Sequence, residues 1–220
     1  LGHDLETMAA AVRADPRIVY LANPNNPTGT WFGDTELAAF LARIPSTTLV
    51  VVDEAYHEFV DDPRLSSALR FLPSHPNLIV TRTFSKAYAL AGLRVGYAVG
   101  SAHVAAVLER LRESFNVNML ALAAATAALG DQDQVARAKA FNLAERTWLA
   151  AQLERHGLRV LPSQTNFVLV DFARDAAAIE HALFGRGVIV RPMGGYGLGE
   201  FLRISVGSRA ENERLLKVLP

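Results

Sequence analysis

Three short apolar runs rich in β-branched residues, Arg17 to Ala22 (RIVYLA), Thr48 to Val52 (TLVVV) and Leu78 to Thr81 (LIVT), constrain the fold of this chain more than anything else in it. Runs of this length, bounded by turn residues, are expected of strands buried on both faces of a parallel sheet. Helical spacing precedes the first run (Asp4 to Ala14), joins it to the second (Asp34 to Arg43) and leads towards the third (near Leu65 to Phe71). Such alternation makes parallel crossovers. A further short strand is expected at Arg94 to Val99 and a helix at Ala102 to Arg112. The pattern then breaks at Asn116 to Asn118. Beyond it come an alanine-rich helix, a long amphipathic helix from Asp131 to His156, and strands at Asn166 to Phe172 and Leu202 to Val206 around a helix from Asp175 to Arg186. The expected class is α/β, with residues 1–114 in a mostly parallel-sheet domain and 115–220 in a small α+β domain.

Polar residues cluster where such a sheet binds ligands, just past the carboxyl ends of its strands. Asn26, Asp53 and Lys86 each follow one of the three runs, and Arg94 comes eight positions after the lysine. A lysine amine there can condense with an aldehyde, an aspartate can keep a pyridine nitrogen protonated, and an arginine can pair with a phosphate. One cofactor, pyridoxal 5′-phosphate, calls for all three.

The local sequences point the same way. NPNNPTG (Asn23 to Gly29), VVDEAY (Val51 to Tyr56) and TFSKAYALAGLR (Thr83 to Arg94) occur in the order and with the separations found in the fold-type I, class I/II aminotransferases, and the chain resembles that family. SQTNFVLVDF (Ser163 to Phe172) and GVIVRP…LRISVGS (Gly187 to Ser208) are most similar to its histidinol-phosphate branch, which transfers an amine between histidinol phosphate and 2-oxoglutarate in histidine biosynthesis. The resemblance implies a PLP-dependent transferase-like fold, here the C-terminal part of the large domain plus the small C-terminal domain. It also implies that the family's N-terminal arm, phosphate-binding glycine loop and ring-stacking aromatic residue precede Leu1, so that a chain of this extent transaminates poorly or not at all by itself.

Roles carry over residue by residue. Lys86 becomes the cofactor anchor and the acid/base, Asp53 the partner of the pyridine nitrogen, and Asn26 and Tyr56 the hydrogen-bond donors to the ring oxygen. Thr83, Ser85 and Arg94 hold the 5′-phosphate, two hydroxyls and one planar guanidinium. Arg191 and Arg203 grip the substrate anion, with Asn26 beside them; Asn118 and Asn166 are further candidates for the pocket wall. Gly92 and Gly96 are expected to permit close backbone approach or a bend, and Glu54, on the opposite face of its strand from Asp53, to be structural.

Composition removes competing classes. Lys plus Arg equals Asp plus Glu at 22 each, so no single-sign field exists to attract nucleic acid or an anionic membrane. Met119 to Leu129, the longest strongly apolar stretch, is too short to span a bilayer. Without cysteine, thiolate metal sites are excluded, and the six histidines lack ligand spacing; no metal is assigned. The expected partners are small-molecule amine and 2-oxo acid substrates, with a homodimer in the full-length family and a cytoplasmic location inferred from the activity. The alternatives are an aromatic-amino-acid aminotransferase, a threonine-phosphate decarboxylase-like enzyme and, from another class, a cofactor-free binding or assembly domain on the same fold.

Overall fold

The computed structural model describes residues 1–12 and 16–220. Helix α1 (Leu5–Ala11) leads to β1 (Ile18–Ala22), α2 (Asp34–Leu41) crosses to β2 (Leu49–Asp53), and β3 (Leu78–Thr83) follows. These three strands are parallel and adjacent, with Ala22 opposite Asp53 and Asp53 opposite Thr81. Their carboxyl ends therefore lie side by side. Strand β4 (Gly96–Gly100) runs antiparallel to β3, pairing Gly96 with Thr83. That reversal returns the chain to the same end of the sheet, which is why Arg94 comes back beside the residues that follow β3. Gly96 is required there, since a Cβ would sit 2.6 Å from the Arg82 carbonyl oxygen. Gly92 has no atom within 4 Å of its would-be Cβ, so close packing does not explain it.

Alternation along the strands sends Leu21, Val50, Val52, Leu78 and Val80 to one face, where they pack with Phe40 and Leu37 of α2 and Ala9 of α1. Each fully buried side chain of this size contributes roughly 1.5–3 kcal/mol. Helix α3 (Ala102–Leu111) and α4 (Met119–Gly130) follow, with Ala121 and Ala125 against Phe84 and Val95. The long α5 (Gln132–Arg155) leads to a second sheet of β5 (Arg159–Val160), β6 (Phe167–Asp171), β7 (Arg191–Pro192) and β8 (Phe201–Ser205), in the order β5-β6-β8-β7 and antiparallel throughout. One face of it, with Val168, Val170, Leu202 and Ile204, packs on α5, α6 (Ala176–Gly185) and α7 (Arg209–Val218). Period-two alternation turns Phe167, Leu169 and Arg203 to the other face.

Several expectations need correction. The helix near Leu65 to Phe71 is only a 3-10 turn, Ala68–Phe71, because Asp34 takes the Ser66 N–H and hydroxyl and holds the preceding residues extended. The first helix spans Leu5–Ala11, and its expected end at Ala14 lies outside the described residues. Strands β5 and β7 and helix α7 were not anticipated. Asn118 caps α4, its side chain accepting from the Ala121 N–H, so it is engaged as a helix cap.

Glu54 lies 2% exposed on the face of β2 opposite Asp53 and is fully engaged: it accepts from the Ser67 hydroxyl, the Ala68 N–H and the Arg82 guanidinium at 2.6–3.0 Å. Nearby Glu58 has a buried carboxyl group with no hydrogen bond among the described residues, and Arg82 Nη1 is its ion-pair partner at 3.8 Å. Burial pushes its pKa above the usual carboxyl range, with the Glu54 charge adding and Arg82 opposing. A raised folded value means that this contribution to stability is complete below the ordinary carboxyl pKa and is lost as pH rises through the folded one. Urea unfolding of Glu58→Gln should therefore match wild type near pH 4 and show a stability advantage that widens towards pH 8.

Candidate active site

The NPNNPTG loop is held from within. The Asn23 amide exchanges hydrogen bonds with the Phe32 backbone at 3.0 and 3.1 Å, Asn25 donates to the Thr28 hydroxyl at 2.7 Å, and the Gly29 N–H donates to the Asn25 carbonyl at 2.7 Å. Gly29 has φ +77°, and a Cβ there would lie 2.5 Å from the Ser163 hydroxyl, so this turn tolerates no other residue without displacement. Asn26 takes no part in that network. Its Oδ1 instead accepts from Arg203 Nη1 at 2.6 Å, across the two sheets.

A cleft of about 420 Å³ opens at the carboxyl ends of β1, β2 and β3, and its wall brings together Asn26, Asp53, Tyr56, Thr83, Ser85, Lys86 and Arg94. Asp53 Oδ1 accepts from the Ala55 N–H at 2.9 Å, the turn-capping bond that such a residue often makes. Its Oδ2 makes no hydrogen bond among the described residues. Thr83 Oγ1 accepts from the Ser85 N–H at 3.1 Å, which turns the chain out of β3 and points Lys86 over the Tyr56 ring, with Nζ 5.4 Å from its centroid. Arg94 adopts a left-handed φ of 55° and donates Nη1 to the Ala91 carbonyl at 2.7 Å. Burial pushes the Tyr56 phenol above its ordinary pKa, Arg203 opposes and Asp53 adds to the rise, so the phenol holds its proton at neutral pH.

From the second sheet Arg203 meets this cleft only at its rim, through the bond to Asn26; its guanidinium lies 4.9 Å from the Phe167 ring centroid, while Phe167 meets Tyr56 edge-on at 5.4 Å. Arg191 is opposite Arg203 in the β7–β8 register and thus on the same face, but its side chain is exposed and does not line the cleft. Phe167 is the residue that sequence reasoning passed over. The run FVLVD reads as strand core, and only the β6–β8 register shows that alternation turns this ring to the Arg203 face.

The cleft fits pyridoxal 5′-phosphate by its donor set: one primary amine for an aldehyde, one carboxylate for a pyridinium N–H, one protonated phenol for the ring oxygen, and two hydroxyls with a guanidinium for a phosphate. Because an arginine can only donate, the Asn26 atom facing Arg203 must be its carbonyl oxygen, which leaves the amide N–H₂ for an acceptor in the cleft. No group of three or more His, Cys, Asp or Glu side chains suited to a metal occurs among the described residues.

Residues 1–219 match the sequence profile of the family described as aminotransferase class I and II. Histidinol-phosphate aminotransferase 2 of Pseudomonas aeruginosa is 53% identical over 218 residues, which is 99% of this chain and 59% of that protein. Histidinol-phosphate aminotransferase 1 of Nitrosococcus oceani is 50% identical over the same share of each. The crystal structure of histidinol-phosphate aminotransferase from Sinorhizobium meliloti in complex with pyridoxal-5′-phosphate superposes with a TM-score of 0.93 at 39% identity, covering 100% of this chain and 61% of that one. The chain thus spans about three-fifths of the length of the relatives it matches.

Proposed function

Because the chain belongs to the aminotransferase class I and II family, whose cofactor is pyridoxal 5′-phosphate, we propose that it carries the cofactor- and anion-binding machinery of a histidinol-phosphate:2-oxoglutarate aminotransferase. The observation that carries this reading is the cleft that gathers Lys86, Asp53, Tyr56, Thr83, Ser85 and Arg94, with Arg203 of the second sheet bonded to Asn26 at its rim. The same reading makes the working protein a cytoplasmic homodimer; no helix among the described residues is long and apolar enough to cross a membrane.

When bound, the cofactor supplies an aldehyde for the substrate amine and an electron-withdrawing ring. Lys86 Nζ would anchor the cofactor and, once displaced, would carry a proton from the substrate α-carbon to the former aldehyde carbon. Asp53 would accept a hydrogen bond from the ring N–H and keep that proton in place. Tyr56 Oη and Asn26 Nδ2 would donate to the ring oxygen, and Thr83, Ser85 and Arg94 to the phosphate. Arg203 is held by Asn26 at one end and by the Phe167 ring beneath, and turns its remaining N–H groups to the substrate anion, with Arg191 its neighbour on the same face. A planar fork suits both the carboxylate of glutamate and the phosphate of histidinol phosphate.

The substrate is tested by a half-reaction screen with histidinol phosphate, phenylalanine, tyrosine and threonine phosphate, in a polypeptide extended to the full length of the relatives. Histidinol phosphate should react fastest, and a faster reaction with an aromatic amino acid would overturn the assignment. Arg203→Ala should lower kcat/KM for both glutamate and histidinol phosphate, since one guanidinium serves both. Truncating one side of a charge-assisted pair costs about 2–5 kcal/mol, roughly thirtyfold or more. Unchanged kinetics with both substrates would move the clamp elsewhere.

A further inference from the structure

We propose that Phe167 is a positioning residue that holds Arg203 at a fixed distance from Lys86, so that a substrate gripped by its anion presents its amine-bearing carbon to Lys86 Nζ. The proposal deepens the reading above and rests on it for the roles of Arg203 and Lys86.

Two buried rings connect the two cations. Lys86 Nζ lies 5.4 Å from the Tyr56 centroid, Tyr56 and Phe167 meet at 5.4 Å with an interplanar angle of 88°, and the Arg203 guanidinium lies 4.9 Å from the Phe167 centroid. Phe167 is 3% exposed and Tyr56 6%. Rings in edge-to-face contact resist compression, and a cation is drawn to a ring within about 6 Å of its centroid, so this stack acts as a spacer.

The spacer is itself anchored. The Phe167 carbonyl accepts from the Ser163 and Thr165 hydroxyls at 2.7 and 3.0 Å. Gln164 N–H donates to the Gly29 carbonyl at 3.0 Å and Gln164 Oε1 accepts from the Asp61 N–H at 2.7 Å. Arg146 bridges Asp61 Oδ1 and the Thr165 carbonyl at 2.7 and 3.1 Å. These bonds fasten the strand that bears Phe167 to the Asn26 loop and to the segment after Tyr56. Arg203 then has two restraints, a hydrogen bond to Asn26 and the Phe167 ring; without the ring it can swing about the hydrogen bond.

The test measures succinate binding to the cofactor-free chain by calorimetry in wild type, Phe167→Leu and Phe167→Tyr, and in parallel the borohydride-fixed cofactor on each. Loss of a cation–ring contact with the partly exposed Arg203 should weaken succinate about fivefold in Phe167→Leu, while Phe167→Tyr, which keeps the ring, stays within about twofold of wild type. Cofactor fixation should be equal in all three. Phe167→Met, closer in volume, is measured in the same way if the leucine variant does not fold. Wild-type affinity in the leucine or methionine variant, an equal loss in the tyrosine variant, or no succinate binding by wild type would overturn the proposal. Failure of wild type to fix cofactor would instead overturn the reading of Lys86, and the two failures are read in separate assays.

Discussion

In a polypeptide extended to the full length of the relatives, replacing Lys86 by alanine should slow the half-reaction by about 10⁴-fold or more and leave the fold unchanged. The side chain is exposed to the cleft and makes no hydrogen bond among the described residues, so its removal costs little stability. On the proposed roles the change is chemically severe, since it removes both the amine assigned to anchor the cofactor and the base assigned to move the α-proton; a positioned acid/base alone contributes typically 10²–10⁴. The measurement is single-turnover conversion to the amine form of the cofactor, with circular dichroism and thermal unfolding as controls. A variant that keeps more than a tenth of the wild-type rate would remove Lys86 from the mechanism.

Glu54→Ala should be the most destabilising single change near the site. The carboxylate is 2% exposed and is the counter-charge of Arg82, whose side chain is 15% exposed. Its loss leaves the Arg82 guanidinium with only the more distant Glu58 carboxylate, at 3.8 Å, as counter-charge, and leaves the Ala68 N–H without its acceptor. Breaking a buried pair from one side costs about 3–5 kcal/mol, a large part of the 5–15 kcal/mol that holds a typical domain together. The urea midpoint reports it directly. A shift equivalent to less than about 1 kcal/mol would mean that water replaces the carboxylate.

What could be read from sequence follows from the range of the interactions involved. The runs RIVYLA, TLVVV and LIVT gave strands within about two residues of those observed, because buried parallel strands need continuous apolar character and little else. The residues at their ends could be read for the same reason: neighbouring parallel strands must end together. The helix near Leu65 to Phe71 failed because apolar spacing there competes with Asp34, thirty-two residues away from Ser66 in sequence, which takes the Ser66 N–H and hydroxyl. Helix α7 left a usable signal, since Ser208 and Glu211 form a capping box. The two-residue β5 and β7 left none, because strands so short are defined by their partners alone. Phe167 was hidden for a related reason: whether a residue in FVLVD faces the helices or the Arg203 side of the sheet depends on register with β8, which no local pattern encodes.

The central claim is that this chain binds pyridoxal 5′-phosphate covalently through one lysine in the cleft at the ends of β1, β2 and β3. It is tested most directly by adding the cofactor, reducing with borohydride, digesting, and locating the fixed pyridoxyl group by mass spectrometry. One group per chain, on Lys86 and absent from Lys86→Ala, is the expected result. A group on Lys139 or Lys217, the same labelling in the alanine variant, or no stable label at saturating cofactor would contradict it.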